Sequence, residues 1–360
     1  MPETVHTVLS KFGITDTVGP NRQALQISNL ENAGGFSGAN IWRIDSADRK
    51  FCLRRWPAGV DADRVAWIHG ILFTATDRGF DKLSVPKICT ATGSPDIGKS
   101  FVQFRNHIFE LSPWLPGVAD FEKSLGGERD AKLVSAMKTL AAFHNATAFH
   151  DSLDEMNGKS SPGLQMRAAR CRRLLQGGID ELRNATKRYC SNASEAENFA
   201  SVESFEVFVE EFERLARAVL PLIEEAARQP ATLQPCLRDV WHDHVLFTGT
   251  DVSGIVDYDA MQFESPAADV ARLLGSLVGN CRESWQHGLD VYHSQRNLTA
   301  ADRERVEAFD WGNTLLSGLQ WATWICVEGK RFSDVPAVLR RLHFCSGRIQ
   351  GRAASDRLCL

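Results

Sequence analysis

The sequence has no long apolar run, no excess of basic charge and no closely spaced cysteine pair. A membrane-spanning helix needs about 20 consecutive apolar residues, and we therefore expect no membrane partner. The formal net charge of −4 gives no general attraction for polyanions, so we expect no nucleic-acid partner either. No internal repeat stands out, and the composition leaves the oligomeric state unknown.

The nine cysteines are spread from Cys52 to Cys359 without a C-x-x-C pair. An odd number at irregular spacing is typical of reduced thiols, and the first residues lack the basic-then-apolar plan of a signal peptide. We therefore expect a cytoplasmic protein. With 360 residues, 43% of them hydrophobic and 24% charged, the chain is typical of a globular protein and is long enough for two lobes.

Three aspartates lie close together in the sequence, at Asp239, Asp257 and Asp259. Between them, two short β-prone runs flank a turn at 248–251, which predicts a hairpin that returns Asp257 toward the loop of Asp239. A carboxylate at the end of a buried strand needs a cation, and carboxylate oxygens suit Mg²⁺. The spacing suits an aspartate that handles a hydroxyl beside a metal-bound phosphate. The alternative is that all three are solvated loop charges.

The order of these motifs resembles a known family. Protein kinases carry H-R-D-L-x-x-x-N and then D-F-G, and the closer likeness is to the kinase-like aminoglycoside phosphotransferases, with H-G-D-x-H-x-x-N-V-L-F, I-D-F-D and D-P-A-x-D. The matching segments here are Leu237–Val240, Val245–Phe247, Val256–Asp259 and Ser265–Asp269.

The resemblance implies a role for each acidic residue. Asp239 is then the catalytic base and Asp257 the metal ligand, with Arg238 and Asp259 as supporting residues. Asp269 takes a structural role in the helix that follows.

One departure from the family pattern concerns His244, which stands where the family has a metal-binding asparagine. On that position we assign His244 to the metal site beside Asp257, although imidazole offers only nitrogen, which Mg²⁺ binds poorly. Three outcomes stay open: a site with one principal metal ion, a catalytic His244 that contacts phosphate as a cation, or lost catalysis. His242 and His244 also permit a transition-metal site, although no third ligand cluster accompanies them.

A glycine-rich loop precedes two predicted strands, at 41–44 and 50–55. Glycines let backbone N–H groups approach a phosphate closely, and in a kinase-like fold this loop would bind the nucleotide. The loop residues assigned to the nucleotide are Gly34, Gly35, Phe36, Ser37 and Gly38.

The phosphate-binding lysine of such folds has no counterpart, and Arg54 occupies its place on the second of these strands. Arginine can pair with phosphate through its planar fork, although it does not replace lysine neutrally. The partner glutamate of the next helix is missing, with Ile68 and His69 near its position. We therefore expect that helix to pack without the usual ion pair.

A hairpin predicted at 102–111 is followed by two prolines in the segment Ser112–Gly117. Prolines suit a stiff extended connector, and kinase-like folds place their adenine-binding hinge at this point. We assign Pro113 and Trp114 to the nucleotide on that likeness; an ordinary surface turn is the alternative.

The remainder of the chain predicts helices. One of them, at 167–182, carries four arginines near its start. These arginines could receive an anionic substrate, although a solvated face is the plainer interpretation.

The sequence thus predicts an α+β, protein-kinase-like fold with a β-rich lobe at 1–111, a hinge at 112–117 and a helical lobe at 118–360. The implied reaction moves the γ-phosphoryl group of ATP, with Mg²⁺, to a hydroxyl of a small molecule. A kinase-shaped binding protein without catalysis is the alternative, because Arg54, His244 and the missing glutamate depart from the pattern.

Overall fold

The computed structural model describes residues 2–15, 25–30, 38–46, 49–92, 94–148, 158–192, 202–332 and 334–357. The chain divides into two compact units. Unit 1 comprises residues 1–124 and 243–259, and unit 2 comprises residues 125–242 and 260–360. The lobe and hinge boundaries given above stay a prediction.

The helices are α1 (Pro2–Lys11), α2 (Ala62–Asp77), α3 (Gly126–Thr147), α4 (Pro162–Arg173), α5 (Ile179–Asn192), α6 (Val202–Arg228), α7 (Ala267–Val278), α8 (Arg282–Gln295), α9 (Ala300–Ala322) and α10 (Val335–Arg357). The strands are β1 (Gln26–Asn29), β2 (Asn40–Asp45), β3 (Lys50–Arg55), β4 (Val102–Phe104), β5 (His107–Pro113), β6 (Gln234–Cys236), β7 (Val245–Thr248), β8 (Asp251–Ile255) and β9 (Gln262–Glu264). None of these described helices is both long enough and apolar enough to cross a membrane.

Unit 1 is built on an antiparallel sheet of five strands in the order β1-β2-β3-β5-β4. Alternation along β2 turns Trp42 and Ile44 into the core cluster, which also contains Leu9 of α1 and Phe12, the residue after that helix. The register places Arg54 of β3 opposite Glu110 of β5. The sheet therefore sets two opposite charges side by side.

The predicted hairpin at 245–256 is confirmed as β7 and β8, which pair antiparallel. Both strands belong to unit 1, where Val118 and Phe247 exchange N–H···O=C hydrogen bonds of 2.9 and 3.0 Å. The hairpin is thereby attached to the segment that follows β5.

Unit 2 is mainly helical, with one small sheet in which β6 pairs antiparallel with β9. The helix predicted at 167–182 is wrong as one element: it is interrupted at 174–178, where Gly177 adopts φ 120°. Glycine reaches that region without steric cost, and the chain restarts as α5. Helix α9 begins at Ala300, directly after a capping box formed by Thr299 and Asp302.

The fold class is as predicted from the sequence: an α+β chain with a β-rich part and a mainly helical part.

Candidate active site

Four of the predicted site residues meet in unit 1, and we call Arg54, His244, Asp257 and Asp259 the carboxylate cluster. The Arg54 guanidinium donates to Asp259 and lies 3.4 Å from Oδ1 of Asp257. His244 Nε2 lies 3.7 Å from Oδ2 of Asp257. Arg54 is buried and also lies over the Trp56 ring, at 4.8 Å from its centroid. The sequence-predicted cation and metal ligand are thus neighbours.

The Asp259 carboxylate is the least solvated acid of this cluster. Burial raises its pKa to about 7, and the charges of Asp257 and Glu110 add to this effect while Arg54 opposes it. Its Oδ1 atom is buried and accepts no hydrogen bond among the described residues. One buried carboxylate oxygen beside Asp257 therefore lacks a donor or cation, which is costly unless something completes it.

Asp257 holds an unusual backbone conformation, with φ 66°. A non-glycine residue in the left-handed region is strained by about 1–3 kcal/mol, and such strain concentrates at functional positions. The conformation follows directly on β8, where the Val256 N–H donates to the His244 carbonyl at 2.9 Å. The hairpin therefore brings the two ends of its own segment, His244 and Asp257, together.

Helix α2 offers Arg54 no carboxylate within ion-pair distance among its described residues, as expected from the missing glutamate. Instead His69 of this helix lies 2.7 Å from Oε2 of Glu110, which also accepts a hydrogen bond of 2.8 Å from Trp56 Nε1. Glu110 is buried, and burial, the largest single influence on its pKa, raises that pKa. The hydrogen bond from His69 and the charges of His69 and Arg54 together outweigh burial, so the pKa of Glu110 is lowered. The carboxylate next to Arg54 on the sheet thus comes from β5.

The residues assigned to the nucleotide are described only in part. Gly34, Gly35, Phe36 and Ser37 lie outside the described residues. Gly38 enters β2 with φ 81°, a conformation that favours glycine. Pro113 ends β5, and the ring of Trp114 lies 5.3 Å from the Arg43 guanidinium.

In unit 2, Asp239 lies on the loop after β6, with its side chain about half exposed. Arg272 of α7 donates twice to its Oδ1, from Nε at 3.0 Å and from Nη2 at 2.7 Å. The same guanidinium lies 4.2 Å from the centroid of the Trp241 ring. The carboxylate is therefore held in one orientation by an arginine that is itself fixed by stacking.

The loop of Asp239 is tethered by Asp269, which is fully buried in α7. Its carboxylate accepts the backbone N–H groups of Leu237 at 2.7 Å and Arg238 at 2.6 Å. His144 contacts the same carboxylate at 3.1 Å and Tyr292 at 2.7 Å. Arg238 itself has φ 65°, so the loop turns sharply just before Asp239.

The described residues give the transition-metal alternative no support. Neither His242 nor His244 belongs to a group of three described side chains that could share an ion; the one such group is His144, Cys236 and Asp269. Its atoms are already engaged, because both His144 nitrogens have partners and the Cys236 thiol contacts the Glu264 carbonyl at 3.2 Å.

Arg272, Glu110 and the pairing of Glu110 with His69 were not predicted from the sequence. A signal existed for Arg272, since it follows Asp269 by one helical turn and therefore shares its face of α7. No local signal pairs His69 with Glu110, which are 41 residues apart.

Comparisons with solved structures agree with this architecture. A spectinomycin phosphotransferase, solved with ADP and spectinomycin, is similar with a TM-score of 0.57 and 13% identity, covering 97% of this chain and 96% of that one. An aminoglycoside phosphotransferase from Alicyclobacillus acidocaldarius gives a TM-score of 0.59 and 19% identity, with 98% of this chain and 95% of that one covered. Amicoumacin kinase, solved with AMP-PNP, Ca²⁺ and Ami, gives a TM-score of 0.58 and 12% identity, with 97% of this chain and 93% of that one covered.

At sequence identities this low, the structural similarity shows a shared fold. A search of curated proteins found no match. The family profile is more informative, because it matches residues 29–309, a span that contains the whole carboxylate cluster and the loop of Asp239. The chain belongs to the phosphotransferase enzyme family.

Proposed function

We propose that the chain transfers the γ-phosphoryl group of ATP to a hydroxyl group of a small molecule. Family membership supports the reaction class, and two solved structures of similar fold contain ADP with spectinomycin, or AMP-PNP with Ca²⁺ and Ami. The observation that carries the proposal is the Asp239 carboxylate, which is half exposed, oriented by Arg272 and placed on a loop tethered by Asp269. A positioned base and a fixed backbone are what such chemistry requires.

In this reaction Asp239 accepts the proton of the acceptor hydroxyl as its oxygen bonds to the γ-phosphorus. The bond between that phosphorus and the β–γ bridging oxygen breaks, and ADP leaves with the electron pair. Arg272 fixes the orientation of Asp239 through two hydrogen bonds to Oδ1. Asp269 acts at one remove, since it holds the backbone N–H groups of Leu237 and Arg238.

The carboxylate cluster fits a hard divalent cation. Asp257 supplies carboxylate oxygens and Asp259 an oxygen that is buried without a partner, and Mg²⁺ prefers oxygen ligands. When bound there, Mg²⁺ would neutralise phosphate charge. We assign Asp257 as its ligand and Asp259 as a supporting acid. Arg54, with the glycine loop, would contact the nucleotide phosphates; the imidazole of His244 approaches Asp257 and is a poor Mg²⁺ ligand.

The test of Asp239 is an Asp239→Asn variant assayed for ADP release over a panel of hydroxyl compounds. Loss of the base should lower the rate about 100- to 10,000-fold, while nucleotide affinity stays within a factor of two or three. Asp290→Asn is the matched control, because Asp290 is an exposed unit 2 carboxylate that also pairs with an arginine, Arg303. Full phosphoryl transfer by Asp239→Asn would refute the role assigned to Asp239.

A kinase-shaped binding protein without catalysis is the second candidate, and one observation favours it: Arg54 already contacts both Asp257 and Asp259. A cation supplied by the protein is then present where a metal ion would be needed. Under this alternative the Asp239→Asn variant and the parent chain bind a nucleotide equally, and neither releases ADP with any acceptor.

A further inference from the structure

The surroundings of Asp239 in unit 2 are rich in arginine, and we call Arg167, Arg238 and Arg272 the arginine cluster. Arg167 lies on α4, Arg238 directly precedes Asp239, and Arg272 contacts Asp239 from α7. Only Arg272 has a carboxylate within ion-pair distance among the described residues. Two guanidinium groups in this region therefore have neutral partners only.

Arg167 is held in a slot that the fold builds for it. Its half-buried guanidinium donates to the Gly163 carbonyl at 3.1 Å and to Asn313 Oδ1 at 2.7 Å, and it lies 5.0 Å from the centroid of the Phe309 ring. A Cβ atom at Gly312 would stand 2.5 Å from Cδ of Arg167, so only glycine leaves room for the side chain. The hydrogen bonds of this guanidinium go to neutral oxygens, and no carboxylate lies within ion-pair distance of it among the described residues, which leaves it able to accept an anion.

Arg238 gives an independent observation. Its backbone is in the left-handed region, with φ 65°, where a residue with a Cβ atom is strained and glycine is not. The side chain donates to Gln262 Oε1, a neutral acceptor. A cationic side chain therefore stands directly before Asp239 at a backbone position that glycine would occupy without strain.

The three guanidinium groups are within electrostatic reach of one another. The pKa of Arg167 is lowered to about 10, first by burial and then by the positive charge of Arg238, with Arg272 adding and Glu264 opposing. Glu264 is already engaged, since it accepts hydrogen bonds from the Ser161 hydroxyl and the Gly163 N–H, both at 2.6 Å. Asp239 pairs with Arg272 and the charge of Glu264 acts on Arg167, so three guanidinium groups face these two carboxylates.

A small cavity of about 30 Å³ adjoins this region at Arg272, which lines it together with Trp241. Its polar lining is mainly hydrogen-bond donors or hydroxyls, supplied by Arg272, Ser276, Asn313, Thr314, Ser317 and Arg348. The one acidic residue in the lining, Asp310, is paired with both Arg348 and Arg352. A cation would therefore find no uncommitted carboxylate in this lining.

We propose that the arginine cluster binds a carboxylate or phosphate group of the acceptor, so that the acceptor is a hydroxyl compound with a negative charge. This inference rests on the proposed function, in which Asp239 receives the hydroxyl of the acceptor. The guanidinium fork matches both anions in a bidentate manner. The anion holds the acceptor, and the hydroxyl is presented to the neighbouring Asp239.

The test is isothermal titration of the full chain with four probes of similar size: glycerol 3-phosphate, glycerate, glycerol and ethanolamine. We expect glycerol 3-phosphate or glycerate to bind, which identifies the anion, and their Kd values to rise at least tenfold in Arg167→Gln and in Arg238→Gly. Arg238→Lys keeps the charge and should retain an intermediate affinity. Arg217→Gln, which removes an exposed arginine of α6, is the control and should bind like the parent chain.

Thermal unfolding of each variant checks that it is folded; Arg238→Gly should fold well because glycine relieves the left-handed strain. Arg54→Gln separates the two regions, since anion binding that disappears only in this variant belongs to unit 1 and would overturn the inference. Equal anion affinity in all variants would overturn it as well.

Release of ADP distinguishes this inference from the proposed function. Transfer to ethanolamine or glycerol, with none to the anionic probes, keeps the function and refutes the anionic acceptor. Arginine-dependent anion binding without ADP release from any hydroxyl compound supports the anion site and counts against the function proposed for Asp239.

Discussion

At the scale of single residues, Arg54 shows how a substitution is absorbed by its surroundings. The side chain is 9% exposed, and it contacts Asp259, Asp257 and the Trp56 ring. Removing one partner of a largely buried ion pair leaves the other charge without compensation, which costs more than the pair contributes. Arg54 therefore stabilises the folded protein through the carboxylate cluster, independently of any ligand that the cluster binds.

We expect Arg54→Met to lower the free energy of unfolding by about 2–4 kcal/mol, because Asp259 stays buried without its cation. Adding Asp259→Asn should recover part of that loss, and a double-mutant cycle in urea measures the coupling. Arg55→Gln on the same strand is the control, since Arg55 pairs with the neutral Asn40. A loss in Arg54→Met no larger than in Arg55→Gln would show that the ion pair contributes little.

The sequence identified Arg54, the absent glutamate and His69, but it did not reveal Glu110. The reason is that strand register is a long-range property: Arg54 and Glu110 are 56 positions apart and become neighbours only when β3 pairs with β5. The aspartates at 257 and 259 were found because hairpin patterning and a short turn are local signals. The left-handed conformations of Arg238 and Asp257 have no such signal, because arginine rarely adopts φ above zero and aspartate adopts it in only a minority of its positions.

At the scale of elements, Gly117 decides how the β7–β8 hairpin is attached within unit 1. It has φ 96°, and a Cβ atom there would stand 2.6 Å from the Phe247 carbonyl oxygen and would also overlap the Ser253 hydroxyl. The following residue, Val118, pairs with Phe247 through backbone hydrogen bonds. A side chain at 117 would therefore push the hairpin that carries His244 and Asp257 away from its support.

We expect Gly117→Ala to destabilise the protein by more than about 2 kcal/mol, because both its backbone conformation and a backbone atom oppose a side chain. Gly127→Ala is the matched control: Gly127 is exposed in the first turn of α3, no atom stands within 4 Å of its Cβ position, and alanine favours helix. Urea unfolding followed by tryptophan fluorescence compares the two. Similar stabilities in both variants would contradict the attachment inferred for the hairpin.

Elements with strong periodicity or clear turns were predictable, and short ones were not. The pairs β2–β3, β4–β5 and β7–β8 match the predicted strands, because each is a local hairpin. The three-residue strands β6 and β9 were missed, since so short a run has no readable alternation and its partner is 26 or more residues away. The break after α4 depends on Gly177, which an otherwise helical pattern conceals.

At the scale of the whole molecule, each unit carries a different part of the proposed chemistry. Unit 1 carries the five-stranded sheet and the carboxylate cluster, and unit 2 carries Asp239 with the arginine cluster. Nucleotide and metal binding by unit 1 can thus be measured without knowing the acceptor.

We expect ATP or ADP with Mg²⁺ to raise the melting temperature of the full chain, because a ligand that binds only the folded state stabilises it. At about 100 times its Kd the gain is about 2.7 kcal/mol, a shift of a few degrees at this size. Asp257→Asn should abolish the metal-dependent part, because an amide replaces the carboxylate that we assign to the ion. Asp251→Asn, an exposed change in the same hairpin, should leave it intact. An equal metal-dependent shift of the melting temperature in both variants would place the ion elsewhere. If no nucleotide shifts the melting temperature, with or without Mg²⁺, a binding protein is favoured over a kinase.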